Sequence, residues 1–468
     1  MINLSEKLIS IRPSERQLNW HKLEFYSFIH FGMNTFYDRE WGNGKEDPNE
    51  FNPTNLNTDQ WVESLKNANI KAVILTCKHH DGFCLWPSKY TEHSIKNSPY
   101  KNGKGDIVKE LSNSCKKYGL KFGVYLSPWD MNSKLYGTDE YNEFFKNQLT
   151  ELLTEYGELF SVWFDGACGE GENGKKQIYD WDRYYSLIRK LQPNACITIC
   201  GPDVRWCGNE AGHCRKQEWN VVPARLSKCE TVQENSQKND DSSFREREIS
   251  PTDEDLGSQE VLKDEKDLIW YPCEVDTSIR NGWFYHKNEE PKPLEKLLDI
   301  YYNSVGANAT LLLNIPPNKE GLIDDKDVQI LKQIGNHINN TFKENIANQA
   351  QIKVDIIDNN TNIYNVLSED DKFYKGIDSE EKATITFKFD SIKQIKTIVL
   401  KEQIALSQRI EEFEIYAKVN NNIINVFNGT IVGSKRICKL NNVNTDYIEI
   451  RILKSRVCPT LNFVGIYT

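Results

Sequence analysis

The chain has 468 residues, 38% apolar, 27% charged and 11% aromatic, which supports a large buried core and excludes a disordered polymer. Its 58 basic residues against 68 acidic ones leave a net charge of −10, which argues against nucleic acid, a ligand held by Lys and Arg on phosphates. No run approaches the roughly 18 uncharged apolar residues of a membrane-crossing helix.

Short apolar segments alternate with helical ones over the first two thirds of the chain. Strands are expected at Phe25 to Met33, Ala72 to Lys78, Phe122 to Ser127, Ser161 to Phe164, Ala195 to Cys200 and Ala309 to Ile315. They are apolar on both faces, as strands of a covered parallel sheet must be. Between them, Thr58 is read as the cap of a helix that stripes Trp61, Leu65 and Ala68 on one side. Ile107, Leu111 and Cys115 mark a second helix, and Leu149, Leu152, Leu153 and Tyr156 a third. Asp180 to Leu191, Leu294 to Tyr302 and the segment holding Val328, Leu331, Ile338 and Phe342 complete the set. Repeated strand–helix units predict a (β/α)8-type barrel over residues 1–344, irregular around residues 230–285. No glycine-rich phosphate loop follows the first strand, which counts against an open nucleotide-binding sheet. The polar stretch from Asp240 to Asp267 reads as a solvated insertion.

Past residue 344 the pattern changes. Tryptophan and histidine disappear, and Ala383 to Phe389, Phe413 to Ala417, Tyr447 to Ile452 and Leu461 to Tyr467 carry the short strands of an antiparallel β-sandwich, residues 345–468. All four runs are read as alternating with a period of two. With no Trp to stack on sugars, that module is expected to support the barrel rather than bind glycan. Asp355 to Asn360 could hold calcium, although Asn/Asp clusters also make ordinary turns.

In a barrel the chemistry gathers past the C-terminal strand ends. Those positions here hold His30, then Glu40 and Trp41, then His79 and His80, then Trp129 and Asp130, then Trp163 and Asp165, then Trp206 and Glu210. Tryptophan faces stack on sugar rings while imidazoles and carboxylates bond hydroxyls, so a carbohydrate pocket is expected.

The runs AVILTCKHHDGFCLWPS (Ala72 to Ser88), VWFDGA (Val162 to Ala167) and RWCGNEAG (Arg205 to Gly212) resemble the α-L-fucosidases of glycoside hydrolase family 29. Asn281-Gly282-Trp283-Phe284-Tyr285 and Leu312-Leu313-Asn314 extend the resemblance across most of residues 11–317. Glu218 to Pro223 and Glu254 to Ser258 resemble the branch acting on α-1,3/1,4-linked fucose. The resemblance implies a retaining exo-enzyme without cofactor or metal, releasing fucose from branched, Lewis-type oligosaccharides or glycoconjugates. It assigns Asp165 as nucleophile and Glu210 as acid/base, the latter protonated at rest beside Asp165 and Trp206. Fucose contacts fall by the same resemblance on His30, Glu40, Trp41, His79, His80, Trp163 and Trp283, with Trp129 added. Met131 departs from the family's SPWDR run.

Three alternatives stand beside this reading: a fucose-binding lectin that lost its chemistry, a fucosidase of broad specificity, and a metal-dependent hydrolase using His30, His79 and His80. A zinc site from Cys196, Cys200, Cys207, Cys214 and Cys229 with His213 matches no usual ligand spacing. Twelve cysteines are too sparse for a disulfide framework, and the opening Met1 to Ser5 lacks the apolar core of a signal peptide. A cytoplasmic location is therefore expected, with secretion after loss of a leader as the alternative.

Overall fold

The computed structural model describes residues 3–238 and 255–468. Ten strands belong to its first part: β1 (Phe25–Ile29), β2 (Ala72–Lys78), β3 (Lys121–Leu126), β4 (Leu159–Phe164), β5 (Cys196–Ile199), β6 (Arg205–Trp206), β7 (Val221–Pro223), β8 (Leu268–Trp270), β9 (Cys273–Ser278) and β10 (Thr310–Asn314). Eight of them form one parallel sheet in the order β5-β4-β3-β2-β1-β10-β9-β6. A parallel bridge from Thr198 to Val204 joins its two ends, so the sheet curls into a (β/α)8-like barrel.

The helices are started by acids and amides that take up their free N–H groups. Asp106 accepts from Lys109, Asp180 from Arg183 and Asp324 from Lys326, each opening a helix whose apolar stripe packs inward. Asn57, not Thr58, caps the helix Thr58–Asn67, with its side chain on the Gln60 N–H. The Thr58 hydroxyl instead pairs with Ser114 at 2.8 Å on the neighbouring helix.

The first expected strand is cut short. β1 stops at Ile29, because beyond it side-chain oxygens capture the backbone donors: His30 N–H goes to Asn314 Oδ1, Phe31 N–H to Thr76 Oγ1 and Gly32 N–H to Thr35 Oγ1. The short helix Met33–Tyr37 then follows. The irregularity expected around residues 230–285 takes a definite form. No helix separates β5 from β6, and the hairpin β7–β8 is inserted between β6 and β9. Part of the insertion from Asp240 to Asp267 lies outside the described residues, as does Glu254. Its last portion includes the helix Gln259–Leu262, capped by Ser258.

The second part is antiparallel. β11 (Gln351–Val354), β13 (Ala383–Lys401), β16 (Arg436–Ser455), β14 (Ile410–Val419) and β15 (Asn422–Gly429) lie in that order, with β18 (Phe463–Tyr467) on the far half of β13. β12 (Tyr374–Lys375) and β17 (Thr460–Leu461) form a small pair. β13 and β16 are long because a register break between Lys388 and Lys393 bends them. Their first and second halves thereby serve two layers of a β-sandwich around Ile385, Phe387, Ile398, Phe413 and Ile450.

In the loop considered for calcium, Asp355 accepts from the Thr384 N–H at 2.7 Å and Asp358 from the Asn360 N–H at 2.8 Å. Asp355 thus ties its loop to β13, and Asp358 serves a turn. Among the described residues, no group of three or more His, Cys, Asp or Glu is placed to hold a metal ion, and no helix is long and apolar enough to cross a membrane. All twelve cysteines are free thiols.

Candidate active site

The C-terminal strand ends converge on a pocket whose walls include Phe28, His30, Trp41, His79, His80, Tyr125, Trp163, Asp165, Trp206, Glu210, Asp276 and Trp283. Eight of the ten residues singled out from sequence line it. Glu40 and Trp129 stand behind the wall. The Glu40 carboxylate accepts from the Trp283 N–H at 2.8 Å and the Phe284 N–H at 3.1 Å. Trp129 packs edge-on against Trp41, with ring centroids 5.6 Å apart, and tilted against His80 at 5.4 Å.

The turn after the histidine pair demands glycine. Gly82 has φ +80°, and a Cβ there would lie 2.4 Å from Asp130 Oδ1. Asp130 is itself pinned by a buried ion pair to Lys78 at 2.9 Å and accepts from the backbone of Asn132 and Ser133. Met131 donates its N–H to the His80 carbonyl at 2.8 Å, so its backbone helps to seat that histidine.

Burial holds all three pocket imidazoles below their ordinary pKa: His30 down to about 4, His79 well below the usual value, and His80 in the same direction. Neutral rings have a tautomer, and their partners decide it. Asn314 gives its amide N–H groups to Ser278 Oγ and the Trp283 carbonyl, so its oxygen receives the His30 Nδ1–H at 2.8 Å. Ser127 Oγ gives its proton to the Trp129 carbonyl and so receives the His80 Nδ1–H at 2.7 Å. Asn34 Nδ2 donates to the Glu40 carbonyl and, at 3.4 Å, to His79 Nδ1. His30 and His80 are therefore left with an accepting Nε2, and His79 with a donating one. Such a set can read the hydroxyls of a sugar by direction.

Asp165, just past β4, is held by two donors. Tyr125 O–H reaches its Oδ2 at 2.8 Å and the Ala167 N–H its Oδ1 at 2.8 Å. His80 Nε2 stands 3.8 Å from Oδ2. The tryptophans are anchored by carboxylates in a repeating manner: Trp163 Nε1 on Glu274 at 2.7 Å, Trp206 Nε1 on Asp276 at 2.8 Å and Trp283 Nε1 on Glu210 at 2.9 Å. Burial, then the charges of Glu210 and Glu274, lifts Asp276 well above the usual carboxylate range.

Tyr125, Glu274 and Asp276 were not singled out from sequence. Tyr125 falls inside an expected strand, but its place beside Trp163 follows from the β3–β4 register, which only the structure shows. Glu274 and Asp276 had none, because β9 reads as a polar segment until its even positions are known to face the barrel interior.

The sequence model of the α-L-fucosidase family matches residues 12–342. Alpha-L-fucosidase 1 of Arabidopsis thaliana is 40% identical over 465 residues, covering 97% of this chain and 87% of that protein. The crystal structure of a putative α-L-fucosidase from Bacteroides ovatus is 42% identical, with a TM-score of 0.86, covering 100% of this chain and 76% of that one. A Ruminococcus gnavus family 29 fucosidase in complex with fucose is 30% identical, with a TM-score of 0.84, covering 98% of this chain and 95% of that one.

Proposed function

The chain belongs to the α-L-fucosidases of glycoside hydrolase family 29, and on that premise we propose that it is a retaining exo-enzyme releasing α-1,3/1,4-linked L-fucose from branched, Lewis-type glycans. Fucose, which the Ruminococcus gnavus relative binds, is taken as the sugar held in the pocket of this chain too. The observation that carries the mechanism is one pocket wall holding Asp165, oriented by Tyr125 and Ala167, together with Glu210, oriented by Trp283.

In this reading Asp165 attacks C1 as the glycosidic bond breaks, and Glu210 gives its proton to the departing oxygen. The positive charge that develops at the anomeric centre passes into a covalent ester with Asp165. Glu210, now ionised, removes a proton from water, which cleaves the ester, frees Asp165 and restores the proton on Glu210. Two inversions at C1 give net retention. His30, His79 and His80 fix the hydroxyls, and Trp41, Trp163 and Trp283 wall the ring.

Three measurements test the proposal. Asp165→Asn should abolish turnover of an aryl α-L-fucoside, falling by at least ~10³-fold, while proton NMR of the wild-type reaction shows the α-anomer formed first. Release of fucose from Lewis-type trisaccharides but not from an α-1,2-fucosylated disaccharide supports the linkage assignment. Equal release from both would leave an α-L-fucosidase of broad specificity.

A further inference from the structure

We infer that His286 is a positioning residue for the reaction, fixing the Glu40 carboxylate that seats Trp283 and, through the Trp283 indole, Glu210. The inference rests on Glu210 as the acid/base and deepens that reading.

His286 lies one residue beyond the sequence motif Asn281 to Tyr285 and is not among the residues lining the pocket. Its Nδ1 stands 2.8 Å from Asp38 Oδ1 and its Nε2 2.8 Å from Glu40 Oε1. A carboxylate only accepts, so both nitrogens carry hydrogen and the ring is an imidazolium. The hydrogen bond to Glu40 lifts its pKa against the opposing effect of burial, with Asp38 and the Glu289 charge adding, to about 9. It is thus the opposite of the three neutral histidines in the pocket.

Glu40 collects the loop. Its Oε1 takes His286 and the Phe284 N–H, and its Oε2 takes the Trp283 N–H. The packing is tight: a Cβ on Gly282 would sit 2.7 Å from Glu40 Oε1 and 2.7 Å from His286 Cδ2. Glu289 holds the Gly282 N–H at 2.8 Å, and Asn314 holds the Trp283 carbonyl at 2.7 Å. A backbone clamped at these points leaves the Trp283 indole N–H in reach of Glu210 Oε2 at 2.9 Å. Without a donor at position 286, Glu40 keeps its two backbone donors but loses the side-chain one, and Trp283 loses its fixed seat.

The test compares kcat/KM on 2,4-dinitrophenyl α-L-fucoside, whose leaving group needs no proton, with kcat/KM on methyl α-L-fucoside, whose leaving group does. It uses the full-length chain with His286→Leu, His286→Gln and Glu210→Gln. His286→Leu should lose at least ~10-fold more on the methyl than on the dinitrophenyl substrate, a selectivity that general acid catalysis can supply and a diffuse packing defect cannot. His286→Gln, which keeps a donor toward Glu40, should recover most of it. If the Leu variant does not fold, His286→Asn, whose shorter amide cannot span both carboxylates, should show the same selective loss. Equal losses on both substrates for the His286 variants, with selective loss for Glu210→Gln, overturn the role of His286 and leave Glu210 as the acid. Equal losses for Glu210→Gln itself would remove Glu210 as the acid and this inference with it.

Discussion

Glu274 sits among aromatic rings inside the barrel, where burial lifts its pKa from 4.5 to about 7 although Tyr26 and Trp163 both donate to it. An acid whose folded pKa exceeds its unfolded value favours the folded state most when protonated. Its contribution is fully present below about 4.5 and is lost as pH climbs through about 7. Glu274→Gln removes that dependence. Urea unfolding from pH 5 to 7 should therefore show the wild type losing stability relative to the variant by on the order of 1 kcal/mol per pH unit. Parallel curves would mean that Glu274 is ionised throughout. At this scale the sequence was an uneven guide. His79-His80, Trp163 and Asp165 stood out because several unusual side chains fall within a few positions of a strand end. The carboxylates that hold the tryptophans could not be seen, since Trp163 and Glu274 are 111 positions apart and meet only across the barrel.

Elements were legible where local physics decides them. The helix Ile107–Tyr118 begins at Asp106, whose Oδ1 takes the Lys109 N–H at 2.9 Å, and ends at Gly119 in the left-handed region. Asp106 also accepts from Tyr156 at 3.0 Å, tying the helix start to the connection before β4. Asp106→Ala should cost about 1–2 kcal/mol in chemical denaturation, and Asp106→Asn, which keeps a capping oxygen, much less. Similar losses for the two would assign the effect to charge rather than capping. β9 shows where local physics is insufficient: Cys273-Glu274-Val275-Asp276-Thr277-Ser278 is buried along its whole length yet polar at four of its six positions. Only its tertiary partners make it a strand, Arg205 and Trp206 on one side and Thr310 to Asn314 on the other. β6 is two residues long for the same reason and carries no pattern at all.

At the scale of the whole molecule the change in composition near residue 345 suggests two independent bodies, but their packing argues for one cooperative unit. Val399, Ile437, Phe463 and Tyr467 of the sandwich belong to the same apolar core as Phe25, Tyr301 and Leu311 of the barrel. Glu24, at the entrance to β1, is gripped by Lys401 at 3.0 Å and Lys435 at 2.8 Å from the sandwich. Gln408 accepts from the Asn220 N–H, and Asn308 accepts from the Ser434 N–H at 2.7 Å. A junction with its own apolar centre and half-buried charge pairs couples the unfolding of the two parts, because separating them would strand the Glu24 carboxylate and expose core side chains. Calorimetry of the full chain should thus give a single transition, and Glu24→Gln should lower its midpoint without splitting it. Expressed alone, residues 1–344 should fail to give a soluble, thermally cooperative barrel. Two separable transitions, or a stable active barrel without residues 345–468, would show that the junction is adhesive rather than structural and that the sandwich serves something other than support.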